Sequence, residues 1–499
     1  MTYAVATGHA LTTEAAEQIL RAGGSAVDAC IAAACTAFVA EPVLAQPLGG
    51  GFLMLAPGAG APHVLDAFVQ TPRRRRPEGE LDLATITVDF GTATQDFHIG
   101  AGTVATPTLI PALFEAHDRH GRMPWADLVA HAAQHARAGV TVTAFQAEVA
   151  GLVAPILTAD ADVSALCAPG GKPAAEGTVQ CNPQLADVLE VLAAEGPRFF
   201  TEGEVGQGLT ALPGSHLTGE DLRHARHAWR PALTLRRQGH DIALNPPPSL
   251  GGVQIALALS ALPRAPRPVL VARALAEVAR LRADLDIDRQ PDRAGALLLD
   301  PDRVAHLRRL LASHTPALRG TTHISVIAAD GSGAALSLSN GEGCGRLIPG
   351  TGIQPNNMLG EEDLSPDGPV GWVPDRRLAS MMCPTAMRGD DGTLTLLGSG
   401  GSNRIRSALA TTLLALVDAG LPPDAAVAAP RMHVENGNLS FEGLGADGRR
   451  EALLAEWPQA TVWDRPAMYF GGVHIARRDR RGGVQAAGDP RRAGAAASG

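Results

Sequence analysis

Thr321 begins a stretch, residues 320–343, in which side chains able to carry out acyl chemistry face one another across a predicted hairpin. Runs rich in apolar and β-branched residues flank Asp330-Gly331, a strong signal for a tight hairpin turn. If these two residues form the turn, Thr321 lies opposite Asn340, and a one-residue bulge would place it opposite Ser339 instead. Either register puts a polar group about 5 Å from the threonine hydroxyl. An ordinary hairpin is the alternative interpretation.

This arrangement resembles that of the threonine-type N-terminal nucleophile hydrolases. In those enzymes the chain cuts itself before the threonine, and the freed α-amine, with an ordinary pKa of about 8, is the base for its own hydroxyl. Here the cut would fall between Gly320 and Thr321. Glycine suits this position because it tolerates the distorted backbone that peptide-bond scission requires.

A second candidate element is the sequence 394–420, which is typical of a strand, a glycine loop and a helix capped by Ser402 or Asn403. Backbone N–H groups at such a junction can bind a ligand phosphate or stabilise an oxyanion. Only the oxyanion role is consistent with a nucleophile at Thr321. Close packing of the helix on the strand is the alternative.

The elements around these segments follow from local patterns. Thr13 to Ala22 and Ser25 to Ala40 are predicted helices, and Asp28 stands at the capping-box position of the second. Arg264 to Arg303, rich in Pro, Arg and Asp, is expected to be connecting structure. The last residues, Arg492 to Gly499, are expected to be frayed.

Composition narrows the functional class. The 499 residues are 45% hydrophobic and 4% aromatic with a net charge of −9, which indicates a globular protein. We expect no nucleic-acid partner because no basic stripe occurs, and no membrane partner because the most apolar early stretch is too short to span a bilayer. Six cysteines without paired spacing and no visible signal peptide favour a cytoplasmic location. No cofactor and no metal is predicted, since His224 and His227 lack a third ligand.

Taken together, the sequence resembles the γ-glutamyltranspeptidase family from end to end. The resemblance rests on motifs that occur in the family's order: GGSAVDA (23–29), EPVLAQPLGGGF (41–52), GTVATP (102–107), NPPPSLGG (245–252), TTHISV (321–326), PGTGIQPNN (349–357), GSGGSNRI (398–405) and GDPRR (488–492).

The resemblance implies an α/β fold of the four-layer αββα sandwich type, made as one precursor. Cleavage would give a large subunit, residues 1–320, and a small subunit, residues 321–499, with the nucleophile at its N-terminus. The implied activity moves a γ-glutamyl group from glutathione or another γ-glutamyl compound onto the threonine. Water or the amine of an amino acid or peptide then removes it.

The resemblance also implies the catalytic roles. Thr321 is the nucleophile, and Ser339 matches a second threonine whose hydroxyl bonds the nucleophile. Gly401 and Ser402 match paired glycines whose backbone N–H groups hold the tetrahedral oxyanion. Because those donors belong to the main chain, serine in place of glycine does not remove them.

Donor recognition departs from the family pattern. Asn340 and Glu361, with Glu362 as a rival, match the groups that hold the donor's α-amine. The paired serines that hold its α-carboxylate appear as Ala379-Ser380, so one hydroxyl is missing. The arginine for the same carboxylate falls among the four arginines that begin at Arg73, and Arg73 is the candidate.

Three hypotheses follow from the sequence. The first is a self-processing γ-glutamyl hydrolase or transferase, and the second is the same machinery acting on another acyl group such as glutaryl. The third is an unprocessed binding or scaffold protein. A Ser-His-Asp hydrolase is disfavoured because no GxSxG motif occurs.

Overall fold

A computed structural model describes the chain over residues 2–89, 94–310, 321–361, 363–435, 437–443 and 448–499. In these residues the fold is mixed α/β, and its two large sheets are antiparallel. The helices, in chain order, are α1 Ala10–Arg21, α2 Ala26–Ala40, α3 Leu109–His120, α4 Trp125–Ala138, α5 Ala144–Leu152, α6 Ala154–Leu157, α7 Ala161–Cys167, α8 Pro183–Glu195, α9 Arg198–Thr201, α10 Glu204–Thr210, α11 Gly219–His224, α12 Gly251–Ala261, α13 Pro268–Asp284, α14 Ala294–Leu298, α15 Pro301–Leu310, α16 Arg404–Val417, α17 Pro423–Ala428 and α18 Arg449–Glu456.

The strands, in chain order, are β1 Ala4–Thr7, β2 Gly50–Ala56, β3 His63–Ala67, β4 Ala84–Asp89, β5 Thr94–Ile99, β6 Val140–Thr141, β7 Val179–Gln180, β8 Ala228–Pro231, β9 Leu233–Arg237, β10 His240–Leu244, β11 Thr322–Ile327, β12 Gly333–Ser339, β13 Thr385–Gly389, β14 Leu394–Gly400, β15 Met432–Glu435, β16 Asn438–Glu442, β17 Thr461–Trp463, β18 Gly472–Arg478, β19 Val484–Ala487 and β20 Ala495–Ser498. Seven strands form the first sheet, in the order β20-β1-β11-β12-β2-β3-β8. Six form the second, in the order β19-β18-β14-β13-β10-β9.

The central strands of the first sheet, β1, β11, β12 and β2, are buried on both faces, and their side chains alternate between two cores. On β2, Phe52 and Met54 belong to one hydrophobic core together with residues of the second sheet and helices α12, α13 and α16. Leu53 and Leu55 belong to another, built with helices α1 to α4 and α8. Strand β11 contacts β14 and β18 of the second sheet, so the hairpin lies where the two sheets meet.

The two N-terminal helices agree with their sequence prediction. Ser25 caps α2 through a capping box: the Asp28 N–H donates to Ser25 Oγ at 3.0 Å and the Ser25 N–H donates to the Asp28 carboxylate at 2.7 Å. Nearly every side chain of α2 is buried, and the helix packs on α1, β11 and β12.

Two expectations were wrong. Residues 264–303 are largely helical, since α13 buries apolar side chains that include Val271, Leu275 and Val278 against the core. The C-terminal residues are ordered as strand β20, which pairs antiparallel with β1 at the edge of the first sheet, Ala497 opposite Val5. This pairing satisfies backbone groups of an otherwise open edge, and it holds Arg492 in the interior, with 7% of its surface exposed.

Within the described part of the chain, none of the helices combines the length and apolar character needed to cross a bilayer.

Candidate active site

Thr321 directly precedes β11 and is 3% exposed. Its main-chain carbonyl accepts a hydrogen bond from Nη1 of Arg492 at 3.4 Å. The end of β14 passes so close that a Cβ atom on Gly400 would lie 1.9 Å from the same carbonyl oxygen. Glycine at 400 therefore allows the second sheet to bring its glycine loop against Thr321.

The hairpin register places Ser339 next to Thr321. Thr322 pairs with Leu338, so the pair that follows in the ladder is Thr321 with Ser339. The turn is a three-residue loop in which Gly331 has φ +80°, the left-handed residue that such loops require. The bulged alternative is therefore the observed one. Ser339 Oγ accepts a hydrogen bond from the N–H of Gly341 at 3.1 Å.

The cleavage prediction names Gly320, which lies outside the described residues. The bond between Gly320 and Thr321 therefore stays a prediction from the sequence, as does the division into residues 1–320 and 321–499.

The glycine loop at Gly401 and Ser402 carries two main-chain N–H groups that are available to a ligand. Gly401 has φ +120° and Ser402 has φ +48°, so Ser402 occupies a left-handed conformation that favours glycine. Among the described residues, no protein group accepts a hydrogen bond from either N–H. Two adjacent free donors beside a nucleophile are what a tetrahedral oxyanion requires.

Helix α16 begins directly after this loop, with Asn403 at its N-cap position. The Asn403 side chain does not cap the helix, because its amide donates to Asp363 at 2.8 Å and its oxygen accepts from Arg282 at 3.3 Å. Either serine or asparagine capping was expected, and neither side chain makes that bond.

Thr321 lines a small cavity, the threonine pocket, of about 30 Å³. Its polar lining is Thr321, Ser339, Glu361, Asp363, Ser380 and Ser402. Its apolar lining is Phe68, Leu364, Ala379, Met381, Met382 and Ile405. Among the described residues, no arginine or lysine lines it, so the pocket offers hydroxyls, carboxyls and apolar surface but no cation.

The predicted donor-binding residues divide between the pocket and other places. Glu361 and Ser380 line the pocket and are 6% and 5% exposed. Ser380 Oγ accepts from the N–H of Met382 at 3.1 Å, which fixes its rotamer. Asn340 is buried beside Ser339 but does not line the pocket; its Nδ2 donates to the carbonyl of Gln354 at 3.3 Å.

Arg73 is not brought to this site. Its side chain is exposed, and its main-chain N–H donates to the Asp221 carboxylate at 2.7 Å. From the same segment of chain, Phe68 reaches the pocket instead. The segment expected to supply a guanidinium thus supplies an aromatic ring to the pocket lining, which no motif in the sequence had indicated.

Glu41 is a further residue that the sequence prediction missed, although the EPVLAQPLGGGF motif begins with it. Its carboxyl accepts hydrogen bonds from Thr322 Oγ1 at 2.7 Å and from Thr12 Oγ1 at 3.3 Å. Burial raises the pKa of Glu41 to about 7, against the opposing effects of those two hydroxyls and of the Arg492 charge. The carboxyl thereby joins helix α1 to Thr322, the residue that follows Thr321.

Comparisons with known proteins agree with this arrangement. The family model described as Gamma-glutamyltranspeptidase matches residues 12–499. The chain is 30% identical over 482 residues to the Acylase ACY 1 proenzyme of Pseudomonas sp. (strain V22), covering 90% of this chain and 86% of that protein. It is 29% identical over 472 residues to the glutathione hydrolase proenzyme of Pseudomonas aeruginosa, covering 86% and 82%.

The fold is also that of a solved structure, the cephalosporin acylase from Bacillus halodurans. The structural alignment covers 99% of this chain and 95% of the acylase chain, with a TM-score of 0.84 and 23% sequence identity. From the match across residues 12–499 and the placement of a threonine, a serine and a glycine loop around one pocket, we conclude that the chain belongs to the gamma-glutamyltranspeptidase family.

Proposed function

We propose that this protein is a self-processing acylase that cleaves amides through an ester on Thr321, and that the acyl group it prefers carries no carboxylate. The observation that carries the proposal is the lining of the threonine pocket: two carboxyls, several hydroxyls and no cation among the described residues. The family relationship supports the hydrolase chemistry, and the pocket supports the choice of acyl group.

The proposed reaction uses groups at the pocket. The Thr321 hydroxyl attacks the amide carbonyl and gives its proton to the α-amine of Thr321. The N–H groups of Gly401 and Ser402 hold the oxyanion. The C–N bond then breaks, the leaving amine takes the proton, and water hydrolyses the ester to regenerate Thr321 and release the carboxylic acid.

Maturation is part of the proposal, since the α-amine exists only after cleavage before Thr321. The relatives named above are described as proenzymes, which supports processing into residues 1–320 and 321–499. Contacts of β11 with the second sheet, of α2 with the first sheet and of α16 with β14 support the four-layer αββα arrangement that the family resemblance implies.

The preference against a carboxylate follows from desolvation. An acyl group that ends in a carboxylate, such as glutaryl, would bring an anion beside Glu361 and Asp363, and no arginine or lysine among the described residues lines the pocket to compensate it. Burying an unpaired charge is costly, and like charges add to that cost. An acyl chain that ends in an amine or a methyl group avoids both penalties.

A second candidate is the γ-glutamyl hydrolase or transferase activity that the sequence favours. Glu361 beside Ser380 at the pocket supports it, because an acid and a hydroxyl could hold the α-amine and one oxygen of the α-carboxylate. Glutathione or another γ-glutamyl compound would then be the donor, and water or an amine the acceptor.

Four anilides that share one leaving group separate the two candidates: γ-glutamyl, glutaryl, 4-aminobutyryl and butyryl 4-nitroanilide. They differ only in whether the acyl group carries the amine, the carboxylate, both or neither. We expect kcat/KM for the 4-aminobutyryl compound to exceed that for the glutaryl compound at least tenfold. A γ-glutamyl compound that is turned over fastest would instead establish the second candidate.

Thr321→Ala supplies the background rate for each anilide, because 4-aminobutyryl amides can also release their amine by cyclising. Denaturing gels and N-terminal sequencing on the same preparation report the cut before Thr321. An uncut chain without amidase activity would contradict both candidates and favour a scaffold.

A further inference from the structure

A second cavity, the arginine cleft, borders the threonine pocket and has no role in the function described above. Its volume is about 690 Å³. Its walls include Gly341, Glu342, Arg404, Trp463, Tyr469 and Arg492. It is therefore large enough for a ring system or a short peptide, whereas the threonine pocket is not.

The two cavities share two segments of chain. After β12, Ser339 lines the threonine pocket while Gly341 and Glu342 line the arginine cleft. Before and within α16, Ser402 and Ile405 face the pocket while Arg404 faces the cleft. An amide whose carbonyl lies between Thr321 and the glycine loop would thus place its acyl half in one cavity and its amine half in the other.

Arg492 lines the cleft and also contacts Thr321. Its guanidinium donates to the carbonyl of Thr321 at 3.4 Å and to the carbonyl of Met468 at 3.3 Å, and lies 5.8 Å from the ring of Phe145. One of its nitrogens would be 3.4 Å from a Cβ on Gly401. A charge at this position borders both the nucleophile and the glycine loop.

The guanidinium of Arg492 forms no ion pair with a carboxylate of the described residues. Within the described ranges, no carboxylate oxygen lies within 4 Å of its guanidinium, although the residue is 7% exposed. Burial lowers the pKa of Arg492 to about 10 despite the fields of Asp489, Glu148 and Glu41. The group stays charged at neutral pH, and an anion that entered the cleft would supply the missing countercharge.

The neighbouring Arg491 also lines the cleft, but its charge is neutralised by ion pairs. Arg491 contacts Glu442 at 2.5 Å and Asp489 at 3.3 Å, and carbonyl groups accept its remaining donors. An ion pair therefore holds Arg491 in place. The hydrogen bonds of Arg492 to described residues go to carbonyl oxygens, which do not neutralise its charge.

We propose that the arginine cleft binds the amine half of the substrate and that Arg492 selects amines carrying an acidic group, such as an amino acid, a peptide or an aminobenzoate. The inference rests on the proposed acylase function and adds the class of its leaving group. Trp463 and Tyr469, whose rings stack 5.1 Å apart, give the cleft an aromatic wall for the body of that amine.

Two leaving groups that differ by one carboxylate test the proposal: 4-nitroanilide and 3-carboxy-4-nitroanilide, each carrying the acyl group that the processed protein turns over fastest. We expect wild type to prefer the carboxylated compound about tenfold in kcat/KM. Arg492→Gln should reduce the ratio of the two values to less than one third of the wild-type ratio, and Arg492→Lys should retain more of it. The change in this ratio between wild type and Arg492→Gln is the decisive measurement, because the intrinsic reactivities of the two anilides are the same with both proteins and cancel.

Arg481→Gln is the matched control, since Arg481 is exposed in the turn after β18, at the end of that strand remote from Gly472 and the site. It should leave the ratio unchanged. A ratio that is equal in wild type and Arg492→Gln would overturn the proposal.

Product binding covers the case in which Arg492→Gln fails to fold or mature. On wild type, 5-amino-2-nitrobenzoate should inhibit at least tenfold more strongly than 4-nitroaniline, and equal inhibition would overturn the inference. If wild type is neither cut nor active, the proposed function fails, but the anion site can still be tested by calorimetry. Tighter binding of 5-amino-2-nitrobenzoate than of 4-nitroaniline supports the anion site, and equal or absent binding rejects it.

Discussion

The threonine pocket and the arginine cleft are neighbours with different character. The pocket is about 30 Å³ and presents carboxyls and hydroxyls, whereas the cleft is about 690 Å³ and adds guanidinium and aromatic groups to the carboxyls of Glu148, Glu342 and Asp464. The same two stretches of chain line both, with nearby residues facing opposite sides. A few side chains on two loops can therefore give the two halves of one substrate different charge requirements.

In the proposed reaction, the residues that act on the amide bond are different from the residues that recognise the groups on either side of it. Thr321 and the N–H groups of Gly401 and Ser402, here called the boundary, lie between the acyl half and the amine half in the proposed reaction, in which they act on any amide. Under the same proposal, Glu361 in the pocket and Arg492 in the cleft contact only the groups that flank the amide. Changes at the boundary should affect every substrate, and changes in either cavity should affect only one half.

The largest effect is expected at the boundary. Thr321→Ala removes the hydroxyl and so should abolish both chain cleavage and turnover, whichever acyl or amine half is offered. Thr321→Ser keeps a hydroxyl and should retain measurable cleavage. Gel analysis and anilide hydrolysis measure the two steps, and turnover by Thr321→Ala would show that another residue is the nucleophile.

The second largest effect is expected from a variant that disturbs the close contact between Gly400 and the carbonyl of Thr321. A Cβ on Gly400 would lie 1.9 Å from the carbonyl oxygen of Thr321, so Gly400→Ala must displace the strand or the nucleophile by about 1 Å. A shift of that size can cost about a hundredfold in rate, and we expect that loss in kcat/KM for all anilides.

Gly331→Ala is the control for this variant. Gly331 also has a positive φ, but a Cβ there would meet no atom within 4 Å. The substitution should cost about 1 kcal/mol of stability through backbone strain and leave kcat/KM unaltered. Equal losses in both variants would mean that destabilisation, and not contact with Thr321, lowers the rate.

The third effect is confined to one cavity. Glu361→Gln removes a carboxyl from the threonine pocket, so the ratio of kcat/KM for 4-aminobutyryl to butyryl anilide should fall about tenfold, the loss expected for one charged hydrogen bond. Glu342→Gln removes a carboxyl from the arginine cleft and should leave this ratio as it is. If both variants change the ratio alike, the cavities do not act separately.

Local sequence was sufficient to predict the boundary but not the cavities. The turn at Gly331 and the glycine loop before α16 are specified by residues close together in the chain, and they indicated Thr321, Ser339 and Ser402 correctly as neighbours of one pocket. Of the two registers the sequence allowed, only the structure could choose. The three-residue loop that decides it depends on the backbone of one glycine.

The cavity walls come from distant segments, and here local patterns failed. Phe68 was overlooked beside the conspicuous arginines that begin at Arg73, because composition does not tell which side of a strand end faces a pocket. Arg492 was assigned to a frayed terminus, yet the strand that follows it, β20, pairs with β1, about 490 residues away in the sequence. Helix α13 carried apolar residues at helical spacing, but its Pro, Arg and Asp content masked them.

The smallest predicted effect is a change in how stability depends on pH, and it comes from Glu41, which is bonded to Thr322. The folded-state pKa of Glu41 is raised from 4.5 to about 7 by burial, so between these values the folded protein binds more protons than the unfolded chain. Stability must therefore fall as the pH rises through this window and stay level above it. At 1.36 kcal/mol per pH unit the loss is about 3 kcal/mol.

Glu41→Gln keeps the shape of the side chain and removes this titration. Both chains are best compared in a Thr321→Ala background, so that cleavage does not alter the melting transition. Between pH 5 and pH 8, the melting midpoint of the variant should lose about 3 °C less than that of its parent, a difference that cancels the histidines common to both. Glu195→Gln, an exposed acid at the end of α8, should behave as the parent does. If Glu41→Gln also follows the parent, the carboxyl is ionised in the fold at both pH values, and the boundary carries a fixed negative charge beside Thr322.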